Sequence, residues 1–138
     1  MIHIKQELIR SLSFDDEPII KMELNSPEKT LKVFIEGASI LDTTNALFKD
    51  RMDMWLGKGA LTFKNWNQLT VCCKKHQNEE PLTLNACEFE QLQDILIFEE
   101  GENFVKISGQ GAQSGHWNEW MIVGSQYDGE FEEYDITA

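Results

Sequence analysis

Short runs in which apolar and polar residues alternate, each closed by Gly, Pro, Asn, Asp or Ser, recur along most of this chain. Strand side chains point to opposite faces with period two, so runs of this kind make strands that bury one face and wet the other. Ile20, Met22 and Leu24 alternate with Lys21 and Glu23, and Leu31, Val33 and Ile35 follow after the turn residues Asn25-Ser26-Pro27-Glu28. That pair predicts an antiparallel hairpin. Further strands are expected over 60–64, 68–74, 81–85, 95–99, 103–108, 117–123 and 130–136. Nine short strands at about ten-residue spacing, without regular interleaving of helices, exclude a doubly wound α/β fold. The expected class is mainly β, a two-sheet antiparallel β-sandwich of jelly-roll or C2-like outline.

Two segments carry a helical period instead. Leu47, Phe48, Met52, Trp55 and Leu56 follow the capping residues Asp42, Thr43 and Thr44 and precede Gly57, which predicts one short helix over 45–56 with that stripe turned inward. Near the N-terminus Ile4, Leu8, Ile9 and Leu12 fit a second helix, while Ile2 and Ile4 fit the start of a strand equally well. Residues 87–93 could form a single helical turn. No repeat, low-complexity tract or Gly/Ser-rich linker divides the 138 residues, a length suited to one domain, 1–138.

The charge is unevenly placed. Residues 1–87 hold 12 acids and 11 bases, whereas 88–138 hold 12 acids and the single base Lys106, and the whole chain carries −12. Nucleic acid is not an expected partner, because a phosphate-binding surface needs clustered Lys and Arg. Anionic membranes are disfavoured for the same reason, and the apolar runs at 95–98 and 120–123 are far too short to span a bilayer. The first residues lack a basic stretch followed by an apolar core, and three cysteines including the adjacent Cys72 and Cys73 make a poor disulfide framework. A cytoplasmic protein with unoxidised thiols is expected.

Motifs for chemistry are missing. The stretch Gly109-Gln110-Gly111-Ala112-Gln113-Ser114-Gly115 lacks the Lys-Ser/Thr ending of a phosphate loop and reads as a connection between strands. Cys72, Cys73, His76 and Cys87 do not make a zinc set, since adjacent strand residues point apart. The loop acids Asp15, Asp16, Glu17 and Asp128 fit no calcium loop, and neither G-x-S-x-G nor H-E-x-x-H occurs. No cofactor or metal is expected.

Two clusters remain as candidate binding residues. His116, Trp117 and Glu119 stand at the start of a strand in which Trp120 and Ile122 make the better core pair, so either Trp117 faces solvent between a histidine and a carboxylate or both rings are buried across a thick edge. Glu130, Glu132, Glu133 and Tyr134 combine carboxylates with an aromatic off the strand's alternation, so either a bulge turns both Phe131 and Tyr134 inward or one ring faces out. In size, acidity and lack of a catalytic motif the chain is similar in general character to bacterial immunity proteins that neutralise basic toxins. The expectation is therefore a non-catalytic interaction domain that binds a basic protein partner, as an inhibitor of it. The alternatives are a sandwich that binds carbohydrate or another small ligand through Trp117 and His116, and a hydrolase whose site is assembled only in three dimensions.

Overall fold

The computed structural model describes residues 1–44, 47–49, 54–74, 82–84 and 90–134, with the backbone alone described for 82–84. Thirteen strands run through these residues: β1 (Ile2–Ile4), β2 (Leu12–Ser13), β3 (Glu17–Asn25), β4 (Thr30–Ile35), β5 (Ala38–Ile40), β6 (Trp55–Lys64), β7 (Gln68–Lys74), β8 (Leu82–Leu84), β9 (Asp94–Ile95), β10 (Ile97–Glu100), β11 (Phe104–Gln110), β12 (Trp117–Val123) and β13 (Gln126–Glu133). The first sheet has the order β1-β13-β6-β4-β3-β9, with β5 on the end of β6 and β2 on β5, and the second has the order β10-β11-β12-β7-β8. Every pairing is antiparallel. The fold is a two-sheet antiparallel β-sandwich, and among the described residues it has eight and five strands in place of the eight in all of a jelly roll.

Alternation decides which side of each strand is inside. Leu31, Val33 and Ile35 of β4, Leu61 and Phe63 of β6 and Phe131 of β13 are fully buried, facing Val71, Val105, Ile107, Trp120 and Ile122 of the second sheet. Burial of each such side chain contributes about 1.5–3 kcal/mol. Phe14, from the β2–β3 turn, meets Phe98 edge-on at 4.9 Å and stacks on Phe131 at 6.2 Å, which links the sheets through rings. Two chain connections also join the sheets at a corner. The chain leaves β6 for β7 through Asn65 and leaves β12 for β13 through Gly124, both left-handed with φ of 56° and 73°, and β6 pairs with β13 while β7 pairs with β12. The chain thus passes between the sheets at two adjacent turns.

At a second junction β9 pairs with β3, and the same segment bonds β11 through Gln93 N–H to Gln110 O (2.7 Å) and Leu96 N–H to Ser108 O (2.9 Å). The predicted β3–β4 hairpin is present, its turn held by Asn25 Oδ1 accepting from Glu28 N–H at 3.2 Å. Near the N-terminus both readings hold in succession, since β1 is followed by a 3₁₀ turn at Gln6–Ser11.

The helix over 45–56 is a correction. Leu47, Phe48 and Lys49 form a turn, and Trp55 and Leu56 open β6; Phe48 is buried, but Leu47 is 41% and Trp55 48% exposed. Met52 lies outside the described residues. The cause is that Leu56 pairs with Ala38 on one side and Glu133 on the other, so sheet partners satisfy the backbone that a helix would otherwise have to satisfy by itself. Gly57 is not a helix stop: a Cβ there would lie 2.7 Å from the Glu133 carbonyl oxygen, so it admits the close passage of β13. Of the turn expected over 87–93, residues 87–89 are outside the description and Leu92 makes a β-bridge to Gly111 instead.

Candidate functional site

The 3₁₀ turn at Gln6–Ser11 and the Gly101–Asn103 connection between β10 and β11 lie on either side of Tyr127, the second residue of β13, and the space between them is a cleft of about 410 Å³ lined by Gln6, Glu7, Arg10, Glu100, Gly101 and Tyr127. A smaller hollow of about 100 Å³ shares Gln6, Gly101 and Tyr127 with it and adds Glu102, Asn103 and Ser125 above an apolar base of Phe104, Val105 and Ile122. Long-range pairing builds this place. Tyr127 N–H donates to Gln6 Oε1 at 3.1 Å across 121 positions of sequence, and the Tyr127 ring lies 5.3 Å from that of Phe63.

The Tyr127 hydroxyl donates to the Glu100 carboxylate. Burial of the phenol, then the bond to Glu100 and its negative charge, push the Tyr127 pKa well up, against a smaller lowering by Arg10. The hydroxyl therefore stays protonated at physiological pH and serves as a fixed donor that aims the carboxylate. Arg10 is held in turn by its Nε–H donating to Glu7 O at 3.1 Å. Three carboxylates, Glu7, Glu100 and Glu102, and one guanidinium thus border the two hollows, which leaves negative charge in excess. That arrangement suits recognition of a cation.

The glycine-rich stretch does more than connect strands. Glu90 inserts its carboxylate there, accepting from Gln113 N–H at 3.1 Å and Ser114 N–H at 2.9 Å, from the Ser114 hydroxyl, and from Asn118 Nδ2 at 3.4 Å. Gly111 is required by this contact, because a Cβ would overlap the Glu90 carboxylate. The loop is an anion cradle, and its anion is the chain's own carboxylate. Burial alone would raise the Glu90 pKa, but the Ser114, Gln113 and Asn118 bonds outweigh it and hold the carboxyl below its usual range.

The residues singled out in the sequence fall into separate places. Trp117 and Glu119 meet at one end of β12, where Trp117 is half-buried and its indole N–H donates to Glu119 Oε1 at 3.0 Å, while His116, just before the strand, donates its backbone N–H to Ser114 Oγ at 3.0 Å. Trp120 is fully buried, so the two tryptophans divide as the alternation requires. Glu130 and Glu132 are exposed on the first sheet, away from that cluster. Phe131, in register with Gly59, faces the core by ordinary alternation, and beyond the register shift that follows it Tyr134 is 42% exposed. Glu133 pairs with Leu56, and Asp128 lies 2.8 Å from the His3 ring.

Gln6, Arg10, Glu100, Glu102 and Tyr127 were not candidates in the sequence. Tyr127 lies before the strand expected there, and nothing local signals its bond to Gln6. Among the described residues no three His, Cys, Asp or Glu side chains converge as a metal site would need, and no helix is long and apolar enough to cross a membrane. His76 and Cys87 lie outside the described residues, and Cys72 and Cys73 are half-buried thiols. Neither a family model, nor a curated protein, nor a solved structure matches the chain.

Proposed function

We propose that this protein is a non-catalytic, acidic interaction domain of the cytoplasm that binds a basic protein partner and blocks the surface it covers. The observation that supports this reading is the cleft beside Tyr127, where Glu7, Glu100 and Glu102 outnumber Arg10. A lysine or arginine of the partner enters with its stem along the Tyr127 ring and its charge at the carboxylates. Among the lining side chains Tyr127 is a phenol held protonated by its burial and its bond to Glu100, which supports binding rather than proton transfer. The net charge of −12 adds long-range steering of a basic partner.

The test uses a fluorescent peptide rich in Lys and Arg, with its lysine-acetylated form as control, titrated with the protein at low and at physiological salt. Binding of the basic peptide alone, weakened by Glu102→Lys and Glu7→Lys by roughly tenfold, a loss of about 1.4 kcal/mol, supports the cleft. Equal binding of the acetylated peptide, or no response to these reversals and to salt, overturns it. The candidates His116, Trp117 and Glu119 are tested in parallel by Trp117→Ala, which should leave peptide binding unchanged.

A further inference from the structure

The outer face of the first sheet carries unsatisfied charge of both signs around an apolar floor. A groove of about 260 Å³ crosses it, floored by Ile20, Phe34 and Ala60, with Lys32 and Lys58 on β4 and β6 and Glu130 and Glu132 on β13. Strand order places Lys32 on β4 and Lys58 on β6 to one side of Glu130 and Glu132 on β13, with Phe34 and Glu130 both opposite Ala60. Lys32 stands with Lys21 beside the Phe34 ring, their ammonium groups 5.0 and 4.6 Å from its centre. Lys21 is paired with Glu23, but among the described residues Lys32, Lys58, Glu130 and Glu132 make no ion pair. Ile20, 47% exposed, projects apolar surface beside them.

A face with bases along one side and acids along the other is complementary to itself under a two-fold rotation, which sets the lysines of one copy against the glutamates of the other. On a chain whose remaining surface is strongly acidic, this charge-balanced face is also where two copies repel least. We infer that the groove is a docking surface for a second copy of this chain, forming a symmetric dimer with Ala60 nearest its axis, Phe34 and Ile20 toward its flank, and Lys32 and Lys58 of each copy paired with Glu130 and Glu132 of the other. The inference stands apart from the Tyr127 cleft and does not depend on the proposed partner.

The experiment is sedimentation equilibrium of the whole chain at about 0.15 M salt, where the Debye length is about 8 Å and net charge no longer dominates. The wild type should shift toward twice the monomer mass with rising concentration. The doubly substituted chains Lys32→Glu with Lys58→Glu, and Glu130→Lys with Glu132→Lys, should each stay monomeric, and an equimolar mixture of the two should form a mixed dimer. Ile20→Ser, which leaves every charge in place, should weaken association of the wild type. Far-UV circular dichroism checks that each variant is folded, and Ile20→Ser still tests the face if a doubly substituted chain is not. A wild type that remains monomeric at roughly 1 mM, or a dimer that survives both charge substitutions, overturns the inference.

Discussion

Glu90 and Glu17 are two carboxylates whose surroundings push them in opposite directions. Hydrogen bonds from Ser114, Gln113 and Asn118 favour the Glu90 anion over the opposing effect of its burial, whereas burial and then the neighbouring charge of Glu36 raise the Glu17 pKa. A depressed carboxyl contributes stability above its unfolded value of about 4.5, lost as pH falls through the lower folded value. Glu90→Gln should therefore lower the melting temperature at pH 7, by the equivalent of about 1 kcal/mol for a largely solvated charge-assisted cradle, and the deficit should close in acid. A raised carboxyl has the reverse sign: Glu17→Gln should stabilise at pH 7, and its advantage should vanish below about pH 4.5. Thermal melts from pH 3 to 7 check both. The tryptophans separate by burial, so Trp120→Ala should cost about 3–5 kcal/mol in denaturant unfolding and Trp117→Ala far less.

Among the elements, β6 ties the first sheet together, because β4 and β13 pair with it along most of its length and β5 takes up its first residues. Thr62 sits opposite both Lys32 and Asp128, and proline there would remove a ladder donor in the sheet interior. Thr62→Pro should abolish the cooperative transition in a circular-dichroism melt. By contrast β10 pairs only with β11 among the described residues, and its Glu99 and Glu100 charge an edge that would otherwise invite strand addition. Hydrogen exchange should find β6 and β12 slow and the outward amides of β10 fast. The same sheet pairing explains why the helical spacing around Trp55 misleads. A buried Phe48 in a turn and the strand residue Leu56 happen to lie at the spacing of a helix stripe, and periodicity cannot register the partners that make residues 55–56 a strand.

At the scale of the whole molecule the termini of the described chain meet: Ile2, His3 and Ile4 pair with Phe131, Glu130 and Gly129. Pairing across that distance, with β13 inserted between β1 and β6, makes loop closure a large part of the folding barrier. Refolding should take milliseconds to seconds, typical of sheet proteins dominated by non-local pairs, and a chain cut at residue 125 should lose cooperative unfolding because β6 and β1 lose their partner. The charge of −12 is a second global property, since mutual repulsion is relieved when the chain expands. Raising salt from low to physiological ionic strength should accordingly raise the melting temperature.

The positions of β3, β4, β7, β11 and β12, the mainly β class and the β3–β4 hairpin were determined by the sequence itself, because period-two alternation and turn chemistry are local and act through the residues that display them. The collection of Gln6, Arg10, Glu100 and Tyr127 into one cleft, the occupation of the glycine-rich cradle by Glu90, and the separation of Glu130 and Glu132 from Trp117 were decided only by tertiary structure. Each depends on which strands become neighbours, and that is set by how the buried faces of the whole chain pack together, a condition no single stretch of residues carries.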